Sequence, residues 1–409
     1  MKQLIIFLMV FLASCNSEKN KSDDNGDAAS KFMIGTFGYD LHFLKQYHKD
    51  IIVLGDSVGA QVIVAPAYQG RVMTSTADGD IGLSFGWINH ELIASGKTTA
   101  HMSAFGGEER FWLGPEGGQF SIYFQKGAEF KFENWFVPKE IDTEPFDLIS
   151  STKTEASFRK EMHLENYSGN KFDLTVDRTV HFLDIPSINS ALGIAVPENV
   201  NAVAFETDNR ITNTGVNTWD KKTGALSIWI LSMLNASEQT TVAVPYRPGD
   251  AAELGKIVTD DYFGKVAGDR LRVDSGLILF KADANYRSKI GLSPKRALPV
   301  VASYDAINHA LTIAQFTLPA GATEYVNSLW KMQDDPFAGD AVNSYNDGPI
   351  DSLQMGKFYE IESSSPAAML APGKSLQHIH RTIHLKGSKE DLDKIALKVL
   401  EVTVDRIKL

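Results

Sequence analysis

Glu360 and Glu362, followed by His378, His380 and His384, are the residues of this chain whose types and spacing best fit a chemical task. Side chains of an extended strand alternate faces with period 2. Residues 356–366 therefore place Glu360 and Glu362 on one face of one strand, and residues 370–384 place His378, His380, Thr382 and His384 on one face of a second. Two carboxylates and three imidazoles build an apolar core poorly, whereas they suit a polar, concave sheet face that binds a polar ligand. The bland alternative is a solvated sheet face. His378 and His380, alternate residues of one strand, can also converge on zinc, but no third ligand is assigned by the sequence. Ser363, Ser364 and Ser365 have histidines nearby in sequence without a spacing that fixes a nucleophilic triad.

Three more constellations carry polar or aromatic groups. Residues 106–118 read Gly-Gly-Glu-Glu-Arg-Phe-Trp-Leu-Gly-Pro-Glu-Gly-Gly. Glycine pairs at both ends permit a tight turn or a close approach to a ligand. Between them, Arg110, Trp112 and Glu116 are the groups with which a site grips a sugar: the ring stacks on the C–H face and the charged groups take hydroxyls. A decorated turn with a local Arg–Glu pair is the alternative. Residues 330–351 read as a long polar loop, with Asn346 and Asp347 able to recognise hydroxyls. The aspartates there could serve calcium, but no EF-hand spacing is present, and no metal or cofactor is expected. Residues 205–213 end in Asn213, a hydrogen-bonding group near a strand end, with Trp219 and Trp229 beyond it. No His-Glu-x-x-His or Walker motif occurs.

The elements that must position these groups are strands. Residues 172–182 alternate cleanly, with Phe172, Leu174, Val176, Val180 and Phe182 on one face and Asp173, Thr175, Asp177 and Thr179 on the other. Residues 119–124, 224–231, 239–245, 276–280 and 310–318 read as further strands, with the 32 Gly and 15 Pro spread evenly as turn residues. Helical patterns are few. The clearest runs from Ser388 to Leu400, with Ser388 and Asp391 as a capping box and Leu392, Ile395, Ala396, Val399 and Leu400 as the apolar stripe. A second short helix is expected near 41–48. Many strands without a βαβ rhythm predict a mainly β, antiparallel sandwich with a short C-terminal helix, in a single domain over residues 31–409.

The N-terminus predicts export. Met1-Lys2, an apolar run over 4–13 and Leu12-Ala-Ser-Cys15 fit a signal peptide with a lipobox over residues 1–15. Acylation of Cys15, the sole cysteine, would anchor the protein without spanning the bilayer. Residues 16–30 read as a flexible tether. Asn16 rather than Asp after the cysteine resembles the pattern of lipoproteins sorted to a bacterial outer membrane, and that resemblance implies a protein facing periplasm or cell surface. The net charge of −11 argues against a nucleic-acid partner.

On Glu362 with its Ser-Ser-Ser-Pro-Ala run, and Leu370-Ala-Pro-Gly373 after it, the chain resembles the galactose mutarotase-like (aldose 1-epimerase) superfamily over most of residues 32–387. More narrowly, it resembles an uncharacterised lipoprotein branch of Bacteroidetes type. The resemblance implies a large antiparallel β-supersandwich whose concave face binds a carbohydrate, and an isomerase if the site is catalytic. Glu362 looks like the family's catalytic glutamate, with Glu360 the alternative, and His101 with Gly106-Gly107 looks like its histidine and glycine pair at a longer spacing. The Asn-His pair that supplies the acid looks like Asn213-Thr214, so the expected histidine is missing and His90, His101, His163 or a C-terminal histidine would replace it. Mutarotation needs a base for the anomeric hydroxyl and an acid for the ring oxygen. A non-catalytic glycan-binding lipoprotein and a glycoside-cleaving enzyme with paired carboxylates are the competing expectations.

Overall fold

A computed structural model describes residues 32–55, 59–351 and 353–409. The lipobox, Cys15 and the 16–30 tether lie outside the described residues. In chain order the first strands are β1 (Ile52–Gly55), β2 (Gln61–Ala65), β3 (Arg71–Thr76), β4 (Arg110–Gly114), β5 (Asp147–Ser151), β6 (Glu155–Glu165) and β7 (Lys171–Phe182). Next come β8 (Asn201–Asn213), β9 (Ser227–Leu231), β10 (Leu234–Asn235), β11 (Thr240–Pro245), β12 (Leu271–Asp274) and β13 (Leu277–Lys281). The last are β14 (Ser288–Leu292), β15 (Val300–Asp305), β16 (Ala310–Phe316), β17 (Val342–Asn346), β18 (Phe358–Ser364) and β19 (Ser375–Lys386). The helices are α1 (Phe37–Tyr47), α2 (His90–Ser95), α3 (Lys139–Asp142), α4 (Ile185–Leu192), α5 (Ala251–Leu254) and α6 (Lys389–Leu400).

The strands form antiparallel sheets, as the alternation predicts. A ten-stranded sheet runs β12-β13-β11-β15-β16-β19-β8-β7-β6-β5, and a smaller one runs β14-β17-β18-β9-β4 with β10 against β18. The strands β1, β2 and β3 make a third. The smaller sheet packs on one face of the large sheet: Ile290, Leu292, Val342, Tyr359 and Ile361 from the former share a core with Val242, Phe280, Val301 and Phe316 from the latter. The opposite face of the large sheet, carrying Ala204, Leu311, Ile313, Ile383 and Leu385, is covered by α4 and by Leu392, Ile395 and Leu400 of α6. Helix α6 starts where its cap predicts, with Ser388 accepting from the Asp391 N–H at 3.2 Å.

Two expected elements differ. Residues 119–124 form no strand: Ser121 N–H bonds Gly118 O at 3.0 Å and Tyr123 O–H reaches Leu113 O at 2.7 Å, so the segment folds back on the end of β4. The expected 330–351 loop contains β17, an inner strand of the smaller sheet. Its core-facing positions are Val342, Ser344 and Asn346, two of them polar. They are satisfied because Ser344 donates to Glu360 O at 2.7 Å and Asn346 bonds Ala284 N and Tyr286 O, each at 2.8 Å.

Candidate functional site

The smaller sheet presents one face to the core and another away from the large sheet, and the pairing register decides which side chains stand on the latter. Arg110, Leu231, Glu362, Asn343 and Gly291 are paired in a row across β4, β9, β18, β17 and β14. Two residues along, Glu360, Tyr345 and Lys289 form a second row. In the other direction Trp112, Trp229 and Ser364 form a third. Period-2 geometry puts all three rows on the same face. Glu360 and Glu362 do share a face, and that face is walled by two tryptophans and bordered by cations.

Glu362 is fully buried. Its Oε2 accepts from Trp229 Nε1 at 2.9 Å and from Lys289 Nζ at 2.9 Å, while Oε1 has no protein partner. Glu360 pairs with Arg110, whose guanidinium lies 4.9 Å from the Trp112 ring centroid. Burial pushes the Glu360 carboxyl up, against the pull of Arg110. Trp112 and Trp229 meet edge to face at 5.7 Å, and the Trp112 Nε1 is unpartnered. Lys289 sits 5.0 Å from the Trp229 ring and 5.7 Å from that of Tyr262. Desolvation would lower its ammonium, but Glu362, Glu116 and Glu360 outweigh it and hold the amine charged well into the alkaline range. The Lys289 side chain keeps 12% of its exposure and Glu360 8%, so solvent reaches the face along their row.

Neighbouring segments complete the wall. Tyr262 bonds Asp340, and Asn343 donates to the Tyr262 hydroxyl at 3.1 Å. This cluster needs Gly291, because a Cβ there would stand 2.2 Å from Asp340 Oδ2 and 2.8 Å from the Tyr262 hydroxyl. Asp347 accepts from the Tyr345 hydroxyl at 2.7 Å and from the Gly356 N–H at 3.0 Å, and burial raises its carboxyl. Glu116, two residues past β4, is half-buried. Burial pushes its carboxyl up to about 7; Lys289 pulls it down, while Glu362 adds to the rise.

The structure brings Glu360, Glu362, Arg110, Trp112 and Glu116 together, with Asp347 beside them through Tyr345. It places the remaining expected residues elsewhere. His378, His380 and His384 do share a face of β19, but it is the face turned toward the smaller sheet, not a concave surface shared with the carboxylates. Ser363, which alternates with Glu362 on β18, stands between His378 Nε2 at 2.8 Å and His380 Nδ1 at 2.9 Å. Burial pushes both imidazoles down to about 3, so they are neutral packing groups of the inter-sheet seam. His384 bonds Glu108 at 2.7 Å in the same seam. Asn213 lies fully buried, donating to Asn217 O and Leu370 O, each at 2.8 Å. Asn346 points to the core side, as described for β17. His101 bonds Trp135 O at 2.7 Å, between the rings of Phe132 and Phe136.

The 106–118 segment is no local ion-paired turn. Gly106 and Gly107, at φ of 90° and 118°, bend the chain into β4, and a Cβ on Gly106 would lie 2.2 Å from Trp87 O. Arg110 then pairs with a glutamate 250 positions away. Sequence reasoning missed Lys289, Tyr345 and Tyr262 altogether, and it named Trp229 without placing it at Glu362. The signal for Lys289 was available: Ser-Lys-Ile-Gly-Leu over 288–292 alternates, with Lys289 opposite in phase to Ile290 and Leu292.

A protein-family model described as "Family of unknown function (DUF6786)" matches residues 35–409. The chain belongs to that family. Among curated proteins none matches the sequence. Solved structures similar to this DUF6786 member include a candidate aldose 1-epimerase from Escherichia coli K12, at 12% identity and a TM-score of 0.48, covering 83% of this chain and 99% of that one. A galactose mutarotase-like protein from Lactobacillus casei is similar at 8% identity and a TM-score of 0.47, covering 82% and 99%. A galactose mutarotase related enzyme from Lactobacillus acidophilus follows at 11% and 0.42, covering 82% and 97%. The likeness is one of fold.

Proposed function

We propose that this DUF6786 chain handles a carbohydrate on the outer face of its smaller sheet, using acid–base chemistry at the anomeric centre of an aldose. One observation carries the reading: a fully buried carboxylate, Glu362, whose Oε2 is anchored by Lys289 and Trp229 and whose Oε1 has no partner, on a face walled by Trp112 and Trp229. A buried acceptor without a partner costs free energy unless a ligand or water satisfies it, so Oε1 is the atom the site holds ready. The indole faces suit the C–H face of a pyranose, while Arg110, Glu360 and Asn343 offer donors and acceptors to hydroxyls. Glu362 would take the proton of the anomeric hydroxyl as the ring opens. The lipobox-like Leu12-Ala-Ser-Cys15 and the polar stretch after it support a lipid-anchored protein at a bacterial outer membrane.

Polarimetry of freshly dissolved single anomers, across a panel of aldoses, tests the reading. Accelerated approach to the anomeric equilibrium is expected for at least one sugar. Saturable binding without acceleration would move the protein to the glycan-binding class. Release of new reducing ends from oligosaccharides would instead make the paired carboxylates those of a glycoside hydrolase.

A further inference from the structure

Ring opening needs a proton donor as well as a base, and none of the ten histidines stands on the face that carries Glu362. His42 and His90 belong to α1 and α2, His48 bonds Tyr68, His101 bonds Trp135 O, and His309 lies in the β15–β16 turn. His163 and His181 pair with Asp173 and Glu155 on β6 and β7, and the other three fill the inter-sheet seam. The tyrosine hydroxyls beside Lys289 are spent on protein partners: Tyr345 donates to Asp347 at 2.7 Å and Tyr262 to Asp340. Glu360 is paired with Arg110, whose guanidinium does not give up a proton.

We propose that Lys289 is the general acid of this site: its ammonium gives a proton to the ring oxygen while Glu362 takes that of the anomeric hydroxyl, so that the ion pair acts as one two-point contact on the hemiacetal carbon. The proposal rests on the mutarotation reading above. Lys289 Nζ lies 2.9 Å from Glu362 Oε2, and Glu362 Oε1 has no protein partner. Both oxygens belong to one carboxylate, so a free acceptor and a cationic donor stand side by side. A hemiacetal carbon carries the matching pair: O1, whose hydroxyl donates, and the ring oxygen O5, which accepts. An ammonium has three N–H donors, and the bond to Glu362 is the single hydrogen bond of Lys289 Nζ among the described residues, so donors remain for O5. Two rings hold the amine in place, Trp229 at 5.0 Å and Tyr262 at 5.7 Å from Nζ. The strand register sets Lys289 opposite Tyr345, in the row that ends in Glu360. The pairing with Glu362 also couples the two transfers. Burial favours loss of the Lys289 proton, and in the resting site Glu362, then Glu116 and Glu360, outweigh it. Once Glu362 has taken the anomeric proton its charge is gone while the burial remains, so loading the base makes the ammonium a better acid.

The step balances. The O1–H proton passes to Glu362 Oε1, the C1–O1 bond becomes a carbonyl, the C1–O5 bond breaks with its electron pair on O5, and O5 takes a Lys289 Nζ proton. The pair is then a neutral acid beside a neutral amine. Rotation about C1–C2 and the reverse transfers close the ring as the other anomer and restore the carboxylate and the ammonium.

The test compares kcat and KM for anomer interconversion in wild type, Glu362→Gln, Lys289→Arg, Lys289→Met and Lys289→Ala, with thermal melts to confirm folding. Lys289→Arg keeps the positive charge beside Glu362 and removes the transferable proton. It should lose about 10²–10⁴-fold in kcat with KM within a few-fold of wild type, and Lys289→Met should lose at least as much. Lys289→Ala should regain rate above the protein-free background with added methylammonium but not with guanidinium, which has the same charge and no proton to give. An active wild type that fails in Glu362→Gln but keeps its rate in Lys289→Arg would overturn the acid assignment alone, leaving Lys289 as a charge that holds Glu362. Equal restoration of Lys289→Ala by both cations would overturn it in the same way. A wild type inactive on every aldose would overturn the mutarotation reading and this assignment with it.

Discussion

Glu362→Gln is expected to lower the kcat for anomer interconversion by about 10²–10⁴-fold while leaving KM within a few-fold of wild type. The range corresponds to about 3–5 kcal/mol of lost transition-state stabilisation. Glutamine keeps the volume of the side chain, and its carbonyl oxygen can still accept from Trp229 Nε1 and Lys289 Nζ, each 2.9 Å from Glu362 Oε2 in the native protein. Removed are the negative charge and the ability to accept a proton. Binding made through Trp112, Arg110 and Asn343 does not depend on either. A variant that lost rate and melting temperature together would mark Glu362 as a structural anchor of the sheet, not a base. The kcat-against-KM split separates those roles.

Arg178→Met is expected to destabilise the fold by about 3–5 kcal/mol, read as a drop in the urea midpoint at unchanged slope. Arg178 is wholly buried on β7 and faces the smaller sheet. It donates to Glu109 Oε1 at 2.9 Å, to Asn209 Oδ1 at 2.5 Å and to Gly70 O at 3.1 Å. Burial pulls the guanidinium down and pushes the Glu109 carboxyl up, and each partner opposes the other's shift. Truncating the arginine strands a carboxylate whose Oε2 already lacks a partner. The double variant Arg178→Met with Glu109→Leu should recover a large part of the loss, because the pair is then replaced by apolar volume. The connection to the site is direct: Glu109 precedes Arg110, so this ion pair clamps the start of β4, and with it Arg110 and Trp112, onto the large sheet. A cost below about 1 kcal/mol would mean that the apolar core alone fixes β4.

The legible part of the site was what period 2 reaches within a single strand. The spacing of Glu360 and Glu362 placed them together, and the clean alternation of residues 172–182 gave β7 its inward and outward faces. In β18 and β19, where polar residues fall on both faces, alternation states which residues share a face but not which face is inward. That is why the histidines of β19 looked like partners of the glutamates: Ser363, not Glu362, is the neighbour on β18 that meets them. Lys289 lies 73 positions from Glu362, and Arg110 lies 250 from Glu360. Pairings at such separations are fixed by strand order, which no local pattern encodes. Strand β17 hid behind its polar core positions, Ser344 and Asn346, whose partners come from distant carbonyls and amides and cannot be seen in its own composition. Among described residues no helix is long and apolar enough to cross a membrane.

A crystal structure of Glu362→Gln soaked with the aldose that wild type interconverts fastest tests the location and the chemistry together. The expected density is a pyranose against Trp112 and Trp229, with its anomeric hydroxyl within hydrogen-bond distance of the residue-362 side chain. A sugar bound away from this face, or one whose anomeric carbon points away from residue 362, would contradict the assignment of the outer face of the smaller sheet as the site of anomeric chemistry.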